Sequence, residues 1–303
     1  MDNILVVGSV ALDTVKTPFG EVKEALGGSA TYAAFSASFF APVHMVAVVG
    51  EDFPEEHINL LRDRGIHTEG MQVTPGRTFR WSGSYEYDLN EANTLSTELN
   101  VFETFRPAIP PMYKKSDLVF LANIDPDLQS SVLEQMEKPR LVALDTMNLW
   151  INKKPDSLKK VIKKVDFLFI NDAEARLFAN TPSLVRAGRL LQSWGPKYVI
   201  IKKGEHGALM FGDNSFFAAP AFPLEEVYDP TGAGDTFAGG FFGYLARQEG
   251  EMSEAILRRA VVYGTVMASF TVEKFSLERL KTLTNEQIEA RVRMLKELSH
   301  FDM

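Results

Sequence analysis

The sequence predicts an α/β protein: a mostly parallel sheet covered by helices on both faces, with a small β-sheet over one end of it. Short apolar, β-branched runs occur at 4–7, 45–49, 118–121, 141–144, 167–170 and 198–201, as strands require. Segments of helical period lie between most of them, and that alternation describes strands linked by crossover helices. Two stretches break the rhythm. Residues 12–26 and 72–87 are rich in Thr, Val, aromatic residues and turn-formers, and Thr78 to Tyr87 alternates like an exposed strand. We expect both to leave the body and pair as a lid, drawn from about 12–26 and 72–98, over the end where such sheets bind ligands. On pattern alone, two ordinary surface hairpins would read the same way.

Taken in order, Met1-Asp2-Asn3 carries no positively charged leader and runs into the first strand. The longest apolar stretch, Ala33 to Gly50, is interrupted by Pro42 and His44 and diluted by Ser36 and Ser38. It reads as helix, turn and strand, so no membrane partner is expected. Helices are expected at about 28–40, 55–64, 127–137, 156–164, 172–178, 184–193, 234–247, 253–271 and 285–298. Asp172 and Ser253 are read as N-caps, and Thr284 with Gln287 three residues on has capping-box spacing. The lysines between Lys153 and Lys164 read as a solvated helix face.

Composition narrows the function. The chain has 303 residues, 45% hydrophobic and 24% charged, a balance that excludes disorder and collagen-like repeats and buries a sizeable core. We read 1–303 as a single domain with the lid as its subdomain. Its 32 basic and 40 acidic residues leave a net charge of −8, which favours a small-molecule ligand over nucleic acid. Without cysteine there is no disulfide, thiolate metal site or cysteine nucleophile, and a reducing, cytoplasmic location fits. The five histidines lack metal-ligand spacing. No P-loop, dinucleotide-binding or protein-kinase motif is present.

The strongest chemical signal is Asp229-Pro-Thr-Gly-Ala-Gly-Asp-Thr-Phe-Ala-Gly-Gly-Phe241. Gly232, Ala233 and Gly234 sit where a loop enters an apolar helix, so their N–H groups can converge on an anion at the positive helix end. Asp235 then falls in the first helical turn, placed to accept a proton from an attacking hydroxyl while the amides stabilise the transferring group. That arrangement suits phosphoryl transfer to an alcohol. For an isolated Gly-x-Gly-Asp, a stabilised helix start would suffice; for the whole string it does not.

This string resembles the signature of the ribokinase-like, or PfkB, family of carbohydrate and nucleoside kinases. The resemblance implies Asp235 as catalytic base, Gly232, Ala233 and Gly234 as anion hole, and Asp229 and Thr231 as candidates for a monovalent cation; Pro230 departs mildly from the family's commoner Thr. Further matches extend over nearly the whole chain. Gly8-Ser-Val-Ala-Leu-Asp13 resembles the family's opening, implying that Asp13 binds acceptor hydroxyls; alone, Asp13 would be a turn carboxylate. Leu26-Gly27-Gly28-Ser-Ala-Thr-Tyr32-Ala33 resembles its first signature, implying that Gly27 and Gly28 let backbone approach the acceptor. Asn171-Asp-Ala-Glu174 resembles the Asn-x-x-Glu motif that organises Mg²⁺ and phosphate, although an N-cap with a helix carboxylate reads alike. Lys202-Lys203-Gly204-Glu-His-Gly207 resembles the segment beside the nucleotide, which brings Lys203 and Gly204 to the ATP site.

The resemblance implies a ribokinase-like three-layer α/β/α fold with about eight or more strands and a β lid. It also implies ATP and Mg²⁺ as cosubstrate and cofactor, homodimerisation through the lids, and an adenine pocket around Val261 to Phe275. Three features bear on the acceptor. Tyr32 replaces a sugar-binding Asn common in the family, and its ring can stack on a base. Phe79, Trp81, Tyr85 and Tyr87 make the lid aromatic, for a flat ligand or equally for lid packing or a dimer interface. Asp145-Thr-Met-Asn148-Leu-Trp150 resembles the family's Asp-x-Asn-x-Arg stretch without its Arg, against a phosphorylated acceptor. We therefore expect ATP-dependent phosphorylation of a primary hydroxyl on a furanose ring, leaning to an adenosine-like nucleoside. A free-sugar kinase of ribokinase or fructokinase type is the alternative, and a non-catalytic sensor a more distant one.

Overall fold

In the computed structural model, which describes residues 2–90, 92–212, 215–248, 250 and 252–300, the expected alternation becomes a regular series. The N-terminal part runs β1 (Ile4–Val7), β2 (Ala11–Thr17), β3 (Gly20–Gly27), α1 (Ser29–Ala37), β4 (Val43–Gly50), α2 (Glu55–Asp63), β5 (Ile66–Thr74), β6 (Arg80–Ser84) and β7 (Asn93–Glu98). The middle holds β8 (Leu118–Leu121), α3 (Pro126–Gln135), β9 (Leu141–Asp145), α4 (Asn148–Lys153), α5 (Pro155–Ile162), β10 (Phe167–Asn171), α6 (Asp172–Ala179) and α7 (Leu184–Ser193). The remainder is β11 (Tyr198–Lys202), β12 (Ala208–Phe211), β13 (Phe216–Ala219), α8 (Ala233–Ala246), α9 (Glu254–Thr271) and α10 (Asn285–Ser299).

Among the described residues nine strands form one sheet in the order β13-β12-β11-β10-β9-β8-β1-β4-β5, parallel except for β12, which runs antiparallel to both of its neighbours near one edge. Because side chains alternate across a strand, each central strand feeds two cores. Ile4 and Val6 belong to the core that holds α1, α8 and α9, whereas Leu5 and Val7 belong to the core that holds α3, α5, α6 and α7. Helix α8 is buried from Thr236 to Ala246, as befits a helix apolar all round. Its Phe237 and Phe241 meet Phe169 of the sheet at 6.2 and 5.2 Å between ring centroids, mostly edge-on. That packing pins the N-terminus of α8 above the C-terminal ends of the strands, the usual ligand end of such sheets.

Four strands form a second sheet, β3-β2-β6-β7, with β2 and β6 parallel. The two segments therefore leave the body and pair, but their bounds differ from those read in the sequence. Residues 72–74 stay in the main sheet as the end of β5, paired with Val48 to Gly50. The exposed strand expected over 78–87 is confined to Arg80–Ser84, and residues beyond it turn back toward the body. Strand β7 is exposed along its length. Ser253 and Thr284 cap α9 and α10 as read, the latter in a capping box. The cap of α6 is Asn171 rather than Asp172, which lies inside the helix. Among the described residues no helix is long and apolar enough to cross a membrane.

Candidate active site

The loop before α8 is tied down by Asp229. One carboxylate oxygen accepts the Thr231 N–H at 2.9 Å and the other the Ser276 N–H at 3.1 Å. A monovalent cation here would share these oxygens. The Ser276 hydroxyl donates in turn to the Leu26 carbonyl at 2.6 Å, joining the loop to β3 of the lid. The Thr231 hydroxyl donates to the Tyr85 hydroxyl at 3.3 Å, joining it to the segment after β6. Of the three expected anion-hole residues, Ala233 already donates its N–H to the Pro230 carbonyl at 3.2 Å, so Gly232 and Gly234 are the less encumbered.

Asp235 stands in the first turn of α8. Burial, then the charge of Asp145, push its pKa from 3.8 to about 8, with Lys202 opposing and Asp13 and Glu174 adding to the rise. Lys202, the last residue of β11, is the residue the sequence reading missed in favour of Lys203. Its Nζ lies 2.5 Å from Asp145 Oδ2, with side-chain exposures of 15% and 4%. The same Nζ is 3.0 Å from where a Cβ on Gly234 would stand, so the ammonium faces the anion-hole loop. Burial opposes its charge, but Asp145, Asp235 and Glu174 together raise its pKa. The signal available in sequence was strand alternation: one of two adjacent lysines at a strand end must point inward, and alternation does not say which.

Asp13 is buried in β2, its pKa raised to about 7 by burial and by Asp229, against a hydrogen bond from the Gly28 backbone. Gly27 lies against it: a Cβ there would fall 1.9 Å from Asp13 Oδ2. Gly28 has φ +94°, and its Cβ would meet the Ser9 carbonyl at 2.5 Å, so glycine is required for α1 to start here. Tyr32 is buried with its ring under Gly232, within 2.4 Å of where a Cβ would lie; it supports the anion-hole loop from below. Asn171 and Glu174 form a capping box, Asn171 Oδ1 accepting the Glu174 N–H at 2.7 Å and Glu174 Oε2 the Asn171 N–H at 2.9 Å. Burial and the charge of Asp145 nonetheless raise Glu174 to about 7, against the Asn171 bond and Lys202.

A cavity of about 870 Å³ extends from Lys202, Ala233 and Gly234 to Thr265, Ala268, Ser269 and Val272 of the C-terminal part. Gly204 lines it and Lys203 does not; a second wall, Ala221 to Leu224, was not foreseen. The aromatic residues of the lid divide. Phe79 stacks on Phe102 at 5.2 Å, Trp81 lies over Gly83, Tyr85 reaches Thr231, and Tyr87 stands exposed at the cavity. Among the described residues no group of three His, Asp or Glu forms a metal site by itself.

A helix start that presents N–H groups to an anion, with a carboxylate in its first turn and a buried lysine beside it, is the apparatus of phosphoryl transfer to a hydroxyl. Residues 1–282 match the pfkB family carbohydrate kinase model, and the chain belongs to that family. It is a phosphotransferase with an alcohol group as acceptor. It is 33% identical over 254 residues to the cytidine kinase of Thermococcus kodakarensis, covering 82% of this chain and 90% of that one. It is 28% identical over 283 residues to the ribokinase of Bacillus subtilis, covering 86% and 90%. The structure of Burkholderia thailandensis nucleoside kinase in complex with ADP-inosine superposes with TM-score 0.78 at 18% identity, over 96% of this chain and 95% of that one. This last likeness bears on the fold.

Two outcomes follow from the buried charges. Lys202→Met leaves the buried Asp145 carboxyl without its partner and should lower stability by about 3–5 kcal/mol, whereas Lys202→Met with Asp145→Asn should recover most of that loss in urea unfolding. A double variant no more stable than the single one would remove the pair from its structural role. Asp235, with its folded pKa raised, favours folding most below the unfolded value near 3.9 and loses that contribution as pH rises through about 8. Asp235→Asn should therefore melt higher than the parent at pH 9, with the gap closing toward pH 5; a gap independent of pH would contradict the burial of this charge.

Proposed function

We propose that the chain transfers the γ-phosphate of ATP to a primary hydroxyl of a furanose ring, and that the acceptor is a nucleoside. The observation that supports the reaction is Asp235 at the start of α8 with Lys202 beside Gly234. The acceptor hydroxyl gives its proton to the Asp235 carboxylate as its oxygen bonds to the γ-phosphorus, and the bond from that phosphorus to the β–γ bridging oxygen breaks, releasing ADP. The N–H groups of Gly232 and Gly234 and the Lys202 ammonium stabilise the charge on the transferring group. Asp13 and the Gly27–Gly28 backbone hold the acceptor, and the lid excludes water. Mg²⁺ binds through one or two carboxylates, substrate phosphates and water. The Glu174 carboxylate, buried beside Lys202 and Asp145, fits such a water-mediated role. The ion would supply charge neutralisation of the phosphates.

The nucleoside reading rests on the lid. Asp13 and Trp81 are directly paired in the parallel register of β2 and β6, so their side chains share one face of the sheet. Gly83 leaves room for the indole to lie along that face, and its Nε1 donates to Thr94 Oγ1 at 3.3 Å. An aromatic surface thus accompanies the carboxylate that would hold ribose hydroxyls. Relatives named cytidine kinase and nucleoside kinase support the same acceptor class.

The test is ADP release from MgATP with cytidine, adenosine and other ribonucleosides against ribose and fructose. We expect strong turnover with a nucleoside; turnover confined to free sugars would replace this reading by the one the ribokinase relative suggests. Asp235→Asn should lower turnover by about 10²–10⁴ with little change in ligand affinity, and near-normal turnover would remove Asp235 as base. Because the base must be ionised, kcat/KM of the parent should climb as pH rises through about 8. Lys202→Met should move that limb to higher pH, since it removes the cation that holds the Asp235 pKa down.

A further inference from the structure

Strands β6 and β7 are antiparallel neighbours, yet residues 85–92 join them, more chain than the tight turn that suffices for such a pair. The described part of this connection lies against the body. After Tyr85 meets Thr231 on the loop before α8, Tyr87, Asp88, Leu89 and Asn90 line the same cavity as Lys202 and Gly234. Asp88 Oδ1 accepts both the Asn90 backbone N–H at 2.9 Å and its side-chain amide at 3.1 Å. With the amide nitrogen turned to Asp88, Asn90 Oδ1 faces Gly204, 1.8 Å from where a Cβ would stand. Gly204 has φ +53°, so the close approach and the backbone conformation both call for glycine.

We propose that residues 87–90 of the lid are part of the donor-nucleotide site. The inference rests on reading the cavity as the place where MgATP binds. The lid thereby serves both substrates: β6 presents Trp81 beside Asp13 on the acceptor side, and its continuation lines the nucleotide cavity together with Ala268 of α9. The exposed Tyr87 ring and the Asp88–Asn90 pair offer an aromatic face and hydrogen-bonding groups to a sugar or base. A ligand that fixes either end of this short connection biases the other, and the coupling is reciprocal.

The experiment uses the full chain and MgADP alone. Calorimetry compares the parent with a variant carrying Tyr87→Gly, Asp88→Ser, Leu89→Gly and Asn90→Ser, and with Ala268→Trp, which fills the cavity from α9. We expect the lid variant to bind MgADP about tenfold more weakly while its melting temperature is unchanged, and MgADP to slow amide exchange over 86–90 in the parent. Affinity within twofold of the parent, with no such protection, would overturn the proposal. If Ala268→Trp abolishes binding while the lid variant retains it, the cavity holds the nucleotide and the lid does not. If Ala268→Trp binds as the parent does, the cavity reading itself fails, and the proposal with it.

Discussion

The structure turns on one buried ion pair, Lys202 with Asp145, set among carboxylates that the fold cannot separate. Strands β9, β10 and β11 lie side by side, with Asp145 opposite Phe169 and Asn171 opposite Lys202. Their C-terminal ends therefore deliver Asp145, the Asn171–Glu174 cap and Lys202 to one place, where Asp235 arrives from α8 and Asp13 from the lid. Desolvation and mutual repulsion raise the carboxylates, and the Lys202 ammonium opposes the rise at Glu174 and Asp235. Folding alone gives no reason to collect acids in this way, since buried charge is poorly compensated by one ion pair. The role proposed for Asp235, a general base with its pKa near the working range at a helix start, does give one.

The nine-stranded sheet makes the arrangement rigid. Its two cores lock the strand ends, and the phenylalanines between α8 and the sheet fix the helix start to a surface that cannot slide without opening the core. The lid is a four-stranded sheet among the described residues. It is held to the body at its root by Ser276 and Leu26, at one tip by Phe19 against Tyr228 at 5.2 Å, and at the other by Tyr85. A firm base and a lightly held cover are what an enzyme needs when it must exclude water during transfer and then release products.

Much of this was legible in the sequence, for reasons that also explain the rest. Central strands such as Ile4–Val7 and Leu118–Leu121 are buried on both faces and advertise themselves as apolar runs. Strand β5 alternates buried and exposed positions in a polar sequence at the sheet edge, and β12 and β13 form a short antiparallel edge, so none stood out. The glycine-rich string before α8 carries its chemistry contiguously and could be read directly. Lys202, Tyr32 and Trp81 could not: each role depends on which side of an element faces the site, and one residue of register reverses it. Tertiary packing supplied that information: Lys202 meets Asp145 and Gly234, the Tyr32 ring lies against Gly232, and strand register sets Trp81 beside Asp13.

The same packing shows why base and lid cannot act independently. Asp229 closes the catalytic loop onto Ser276, and Ser276 holds Leu26 next to the Gly27–Gly28 turn that backs Asp13. Thr231, two residues along that loop, holds Tyr85. The loop carrying the anion hole is therefore hydrogen-bonded to the lid on both sides, once at the root of β3 and once beyond β6. A shift of the lid would therefore pull on the loop whose next turn carries Asp235. On the mechanism proposed above, alignment of the hydroxyl, Asp235 and the phosphorus is then a property of one connected unit.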